Sequence, residues 1–447
     1  MSPNPVYPDA GSRSAALYER ARVLIPGGAS RSTLLINPYP IYVASGSGAW
    51  VTDVDGNRYL DANNNYTAVI LGHAHPAIVE AVTAQLARGS AFSLATEEEL
   101  ALAELLCGRV PGFDRIRFCS SGTEAVMSAI KAARAFTGRP GIAKIEGSYH
   151  GTYDPAEMSL DPHPGNWGEP TAPASVPYAE GTPASVVAET VVLPYNDVET
   201  ARRLIARHAD GLAAVLVDPL PNRVGMLPPS PAFFAAVTEA ARAAGALVIL
   251  DEIITFRLGP AGQQGRLGLR PDLTTIGKII GGGFPVGAVA GRADVMAVFE
   301  SVDGERARLP MAGTFSANSV TMVAGRACME LLDQAAFDRL AGMGERVRAG
   351  IRDAFAAAGF PGQVTGDGSL FRIHAHDRPI AGYRDAHPSA SEAAVMARLH
   401  RELLNRGVYL TTYGMGCLSL AMSDGDLDHL VSAVAGALQA ELAVTGV

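Results

Sequence analysis

The stretch DLTTIGKIIGGGFP, Asp272 to Pro285, decides how this chain reads. Its first half is short and apolar, in the manner of a buried strand. Its second half runs through three glycines to a proline, which is turn chemistry. Lys278 stands between the two. Among 36 basic residues only Lys131, Lys144 and Lys278 are lysines, so arginine supplies the positive charge everywhere else. Guanidinium stays protonated and makes no imine, whereas an amine can lose its proton and attack a carbonyl. A lysine held where an apolar strand enters a glycine-rich turn reads as a Schiff-base carrier. The plain alternative is a strand-end lysine that merely solvates its charge.

Short apolar strands alternate with helices ahead of that stretch. Arg115–Cys119 precedes a helix from about 123 to 136. Then come Ile142–Ile145, Val191–Leu193, Ala213–Val217 and Leu247–Leu250, with helices around 198–208 and 231–244 between them. This alternation predicts an α/β fold with a largely parallel sheet covered by helices on both faces. In such sheets chemistry gathers at the carboxyl ends of the strands. Ahead of it lie a helix over 13–25 that stops at Pro26-Gly27-Gly28, a small antiparallel meander around Asp55-Gly56-Asn57, and a capping box at Thr96–Glu99. Residues 154–187, rich in Pro, Gly and Ala, read as a mobile cover without regular structure. Helices near 336–358, 391–406 and 425–442 predict a smaller α/β domain. The expected division is an N-terminal segment with the meander (1–60), a large domain (61–334) and a small C-terminal domain (335–447).

The 447 residues are 48% apolar and 18% charged, enough for a large core. A net charge of -9 without a basic block argues against nucleic acid. Four scattered cysteines lack zinc spacing and fit reduced thiols, so no metal site is expected and the expected location is cytoplasmic. The start carries no signal-peptide pattern, and no apolar run is long enough to span a bilayer.

Three further segments follow predicted strands. Ser121-Gly122-Thr123-Glu124 lies at a helix start, where unpaired N–H groups can hold a phosphate; taken alone, Ser or Thr capping the helix is the plainer explanation. Asp251 ends the apolar strand Leu247–Leu250, where a carboxylate can keep a ring nitrogen protonated or simply cap the next segment. Tyr149, in Tyr149-His150-Gly151, can stack on a planar ring or pack a loop. Together with Lys278 they supply what pyridoxal 5′-phosphate needs: a phosphate anchor, a ring platform, an acid for the pyridine nitrogen and an imine-forming amine.

With these motifs the chain resembles the class III, fold type I pyridoxal-phosphate aminotransferases, in the branch of glutamate-1-semialdehyde aminomutase and the β-amino acid aminotransferases. Ser121-Gly-Thr-Glu-Ala, Asp251-Glu-Ile-Ile-Thr, Thr274–Gly283 and Gly313-Thr-Phe-Ser-Ala-Asn carry the resemblance. It implies a mostly parallel seven-stranded sheet in the large domain. The smaller α/β domain is built from the C-terminus and the N-terminal segment. It implies that Lys278 carries the cofactor and moves the proton, Asp251 meets the pyridine nitrogen, and Ile253 and Tyr149 flank the ring. Ser121, Gly122 and Thr123 hold the phosphate, and Asn222 meets the phenolic oxygen. Thr314 reaches the phosphate of a neighbouring subunit, which implies a homodimer with shared active sites. Arg31 matches an arginine that binds the substrate carboxylate in the β-amino acid enzymes. Arg223, one residue beyond Asn222, is a second candidate for that carboxylate, or else a surface charge; for Arg31 the local match favours the functional reading over a chance surface arginine. Tyr413 stands where those enzymes carry a mobile arginine. No acidic residue lies between Tyr409 and Ser419, unlike the aminomutases. The expected reaction moves an amino group between a β-amino acid or similar carboxylated amine and a 2-keto acid. An aminomutase or racemase on the same cofactor is the alternative. A non-catalytic binder is disfavoured because no DNA-binding segment is appended.

Overall fold

The structure, a computed structural model, describes residues 6–445. The chain forms two compact units. One comprises Met1–His75, Arg339–Asp377 and Pro388–Val447; the other comprises Pro76–Asp338 and Arg378–His387.

The second unit is built on a seven-stranded sheet. Its strands are β1 (Arg115–Cys119), β2 (Gly141–Ile145), β3 (Thr190–Leu193), β4 (Leu212–Val217), β5 (Leu247–Asp251), β6 (Leu273–Gly277) and β7 (Gly287–Gly291), in the order β1-β7-β6-β5-β4-β2-β3. Only β7 runs antiparallel to its neighbours. Strands β2 to β7 are buried throughout, as expected of a sheet covered on both faces. Alternate residues feed two cores. Val215, Val217, Val248 and Leu250 pack with Leu204, Ile205 and Phe233 on one face. Ala214, Leu216 and Ile249 pack on the other face with Val126, Ala129, Ile130 and Ala133, from the helix Gly122–Thr137. The expected mostly parallel seven-stranded sheet is therefore present.

Two local expectations are corrected. The helix Glu97–Arg109 starts at Thr96, but the threonine side chain makes no capping hydrogen bond; three glutamates in the first turn complement the helix end instead. Residues 154–187 are not a structureless cover. They hold helices Asp154–Glu157 and Ala184–Glu189 and a ribbon of Gly168–Glu169 with Ala172–Pro173. The Ser159 hydroxyl donates to the Ala174 carbonyl (2.7 Å) and accepts from the Val176 N–H (2.9 Å), tying the segment to itself. Proline and glycine here serve tight turns, a use that composition alone does not separate from mobility.

The first unit holds a four-stranded sheet of Val43–Ser47, Trp50–Asp53, Arg58–Asp61 and Val408–Tyr409. A three-stranded sheet of Gln363–Thr365, Leu370–His374 and Met415–Cys417 lies in the same unit. Its core joins Leu60, Val347, Ile351, Phe371, Leu403 and Leu430. The parallel pairing of Val408–Tyr409 with Arg58–Asp61 joins segments from opposite ends of the chain, Val408 lying beside Leu60.

His400, in the helix Ala390–Asn405, is buried in this unit with Nε2 3.1 Å from the Leu410 carbonyl. Desolvation pulls its imidazole from 6.5 down to about 4. The unfolded chain therefore takes up a proton that the folded chain refuses. This contribution to stability is present above about pH 6.5 and is lost as the pH falls toward 4. Thermal midpoints measured across that range fall less steeply for His400→Gln than for the parent.

Candidate active site

Five strand ends of the second unit converge on one cavity of about 180 Å³. Ser121, Gly122 and Thr123 follow β1, Tyr149, His150 and Gly151 follow β2, and Asp218 follows β4. Asp251, Ile253 and Ile254 come from the end of β5, and Lys278 follows β6.

At one side of the cavity the chain leaves β1 and enters the 16-residue helix Gly122–Thr137. The Ser121 hydroxyl accepts from the Glu124 N–H (3.2 Å), and Glu124 accepts from the Ser120 N–H (2.6 Å). The capping role and the anion-facing role thus fall on the same turn. A Cβ on Gly122 would stand 2.6 Å from the Ile253 side chain, so glycine is what lets Ile253 lie against this turn.

Asp251 closes β5, is 5% exposed, and is engaged on both oxygens. Oδ1 accepts from the Thr275 hydroxyl (3.0 Å) and the Ile253 N–H (3.1 Å), and Oδ2 lies 2.7 Å from His150 Nδ1. Thr275 is its register partner on β6, so strand pairing itself delivers that hydroxyl. His150 is fully buried, and desolvation lowers its imidazole despite the neighbouring Asp251 carboxylate. Its Nε2 finds no hydrogen-bond partner among the described residues. Asp218, also buried, accepts from the Leu220 N–H (2.8 Å). Burial, then the Asp251 charge, push its carboxyl well above the usual range, while Lys278 opposes them.

A buried lysine serves this wall. Lys144, on β2, donates to the carbonyls of Ile145 (3.1 Å), Ser148 (3.1 Å) and Met158 (2.7 Å), pinning the turn that carries Tyr149 and His150. Burial draws its amine down to about 7 against the charge of Glu146. Lys278 adopts φ 52°, a left-handed conformation unusual for a residue with a side chain. Such outliers concentrate where a side chain must be aimed.

The cavity thus offers an anion-holding helix start, the apolar Ile253, the ring of Tyr149, a buried carboxylate and an amine. An unpartnered buried imidazole nitrogen adds a polar atom for a bound group to satisfy. These donors and acceptors fit pyridoxal 5′-phosphate.

The sequence pattern of class-III aminotransferases matches residues 36–438. The chain belongs to the class-III aminotransferase family. Pyridoxal phosphate is its cofactor, and it is an enzyme. Among curated proteins it is 38% identical to the glutamate-1-semialdehyde 2,1-aminomutase of Methanothermobacter thermautotrophicus, over 91% of this chain and 93% of that one. Among solved structures it matches an omega-transaminase from Sphaerobacter thermophilus with a TM-score of 0.95 and 52% identity, covering 97% of this chain and 99% of the other. A β-phenylalanine aminotransferase from Variovorax paradoxus matches with a TM-score of 0.86 and 36% identity, over 97% and 95%.

Seven of the residues singled out from the sequence line the cavity of this aminotransferase: Ser121, Gly122, Thr123, Tyr149, Asp251, Ile253 and Lys278. Three others in the same unit do not. Asn222 opens the short turn Asn222–Val224, and Asp218, at the strand end itself, lines the wall instead. Arg223 is ion-paired with Asp161. Thr314 is exposed in the loop after Gly313. Sequence reasoning gave no role to His150, Asp218 or Lys144. His150 sat inside the quoted Tyr-His-Gly motif, and Asp218 was a carboxylate directly after an apolar strand, so both carried a signal.

The two remaining candidates lie in the first unit. The Tyr413 ring lies 5.6 Å from the Arg372 guanidinium carbon. Arg31 lines a cavity of about 520 Å³ whose walls include Ile25, Leu34, Ile36, Ile41 and Val51. The same cavity is bordered by a turn in which Asn64, Asn65, Tyr66 and Thr67 all have positive φ (51°, 49°, 53° and 75°). Left-handed backbone costs a side-chain-bearing residue roughly 1–2 kcal/mol, so four in succession require strong local anchoring.

Close backbone contact in this aminotransferase makes one glycine critical. Gly287 of β7 pairs with Cys119, and a Cβ there would stand 2.0 Å from the Ser121 carbonyl oxygen. Gly287→Ala is expected to lower stability by roughly 1–3 kcal/mol, read as a lower thermal midpoint, and to weaken cofactor retention by shifting the turn at Ser121.

Proposed function

We propose that this protein is an aminotransferase that moves an amino group from a β-amino acid, or a similar carboxylated amine, to a 2-keto acid. Arg31 is the observation that carries the donor class. A guanidinium in a largely apolar cavity, whose walls also carry Asp61, Asn63, Asn65 and His73, suits a substrate with one carboxylate and a bulky apolar remainder. The named activities of the transaminase structures it resembles support the same direction.

In this reading the bound cofactor supplies an electron sink for the pair released when the C–H bond of the donor's amine-bearing carbon breaks. The chain's residues do the rest. Ser121, Gly122 and Thr123 hold the phosphate with hydroxyl and N–H donors. Asp251 keeps a proton on the ring nitrogen, with Thr275 and His150 orienting its carboxylate. Ile253 and Tyr149 keep the ring planar-packed and exclude water. The Lys278 amine would hold the cofactor and, once the donor's amine has displaced it, would take up and return the proton of the donor's amine-bearing carbon. Thr314 serves a neighbouring subunit's phosphate, so the working unit is a homodimer, and the setting is the cytoplasm.

An aminomutase is the second reading, favoured by the curated relative of that name. The segment from Tyr409 to Ser419 contains no acidic residue, which weighs against it. A carboxylated donor supplied without keto acid separates the two. Isomerised product marks a mutase, whereas a transaminase stops after one half-reaction.

Lys278→Ala is expected to lower transamination by roughly a thousandfold or more, and borohydride reduction is expected to label position 278 in the parent only. Full turnover by the variant would falsify the lysine assignment. β-Phenylalanine and α-methylbenzylamine differ by one carboxylate group. Arg31→Leu is expected to reduce kcat/KM for the first by roughly ten- to a hundredfold, and to reduce it less for the second. Equal losses on both donors overturn the carboxylate assignment.

A further inference from the structure

The left-handed turn of the first unit makes contacts that point to one recipient. Asn65 Oδ1 accepts from Arg31 Nη1 at 2.8 Å. The Tyr66 ring lies 5.5 Å from the Arg31 guanidinium carbon, within cation–π range. The Tyr66 hydroxyl donates to the Thr33 carbonyl (3.0 Å), inside the short turn Ser32–Leu34 that Arg31 itself opens. Two successive residues of the turn therefore hold Arg31 three ways: at one nitrogen, across its face, and through the backbone that follows it.

The anchoring of the turn is equally specific. The buried Asp61 carboxylate accepts from the N–H groups of Asn63 (3.0 Å) and Asn64 (2.8 Å), and its second oxygen meets His73 Nε2 at 2.7 Å. Asn63 Oδ1 accepts from the Tyr66 N–H (2.5 Å), and Asn64 Nδ2 donates to the Cys417 carbonyl (2.9 Å). Side chains of residues 61, 63 and 64 thus replace the partners that an ordinary helix or strand would give this backbone. Asparagine tolerates positive φ better than most residues, but Tyr66 and Thr67 do not. The turn is held in this shape by its surroundings rather than by preference.

We infer that Asn65 and Tyr66 are positioning residues for the Arg31 guanidinium, and that they set this enzyme's preference for carboxylated over plain amines. Asn65 takes one of the five guanidinium N–H groups and Tyr66 fixes the plane. The side chain is thereby pre-organised for a carboxylate, and the cost of ordering a long flexible cation is met before substrate arrives. This rests on the reading of Arg31 as the carboxylate site, and the test keeps the two apart.

Arg31→Leu, Asn65→Gly and Tyr66→Leu are assayed with β-phenylalanine and α-methylbenzylamine, each with saturating keto acid. Glycine suits φ 49° at position 65, so the backbone is retained while the acceptor is lost. Tyr66→Leu gives an independent second probe. If the inference holds, Asn65→Gly and Tyr66→Leu each lower the ratio of kcat/KM for the two donors by roughly tenfold, through KM for β-phenylalanine. The Arg31→Leu ratio falls at least as far. Asn65→Asp keeps an oxygen beside Arg31 but adds a competing negative charge, and is expected to raise KM for β-phenylalanine further. If Arg31→Leu lowers the ratio and both turn variants leave it unchanged, or lower both donors alike, the positioning role is overturned and the carboxylate site stands. If Arg31→Leu itself leaves the ratio unchanged, the carboxylate site fails and the positioning role with it.

Discussion

The burial of Asp251 constrains the second unit more than any other single feature. A desolvated carboxylate is costly unless its oxygens are engaged. Here the donors come from three separate chain segments: Thr275 from β6, the backbone N–H of Ile253, and His150 from beyond β2. Each depends on the sheet being paired in this register. A one-residue slip between β5 and β6 would turn Thr275 to the opposite face. The same carboxylate helps raise Asp218 at the end of β4. Strand order, register and the electrostatics of the cavity are therefore one arrangement.

Lysine scarcity acquires a physical meaning in this setting. Lys144 and Lys278 differ in what their amines face. Lys144 is fully buried and spent on three carbonyl oxygens, which is structural work on the loop of Tyr149 and His150. Lys278 sits at a strand end on left-handed backbone, facing the cavity. Arginine could not replace the second, since its guanidinium does not give up a proton. The first unit shows a parallel strategy in its own terms. There a buried carboxylate, Asp61, holds a backbone turn that its residues would not adopt alone.

The alternation of apolar strands and helices was legible in the chain, as were the helices Arg13–Leu24, Val198–Arg207, Pro231–Ala243 and Ala390–Asn405. Periodicity and local capping chemistry carry that information over short distances. The segment 154–187 was misread because proline and glycine mark both tight turns and loose chain. Thr96 was misread because a capping residue type does not guarantee a capping bond. Arg223 was legible as an arginine near a strand end, but its pairing with Asp161 depends on a contact 62 residues away.

What the sequence determined by itself was chemistry that resides in single residues and their immediate neighbours. It supplied a scarce amine after a strand, a hydroxyl-glycine-hydroxyl turn at a helix start, and a carboxylate ending an apolar run. Tertiary structure alone decided which groups face one another. It set His150 against Asp251, 101 residues apart, brought Asp218 rather than Asn222 to the wall, and forced four consecutive residues into left-handed backbone beside Arg31. The reason is physical. Local propensity and composition act through neighbours in the chain, whereas desolvation and hydrogen-bond satisfaction act through neighbours in space.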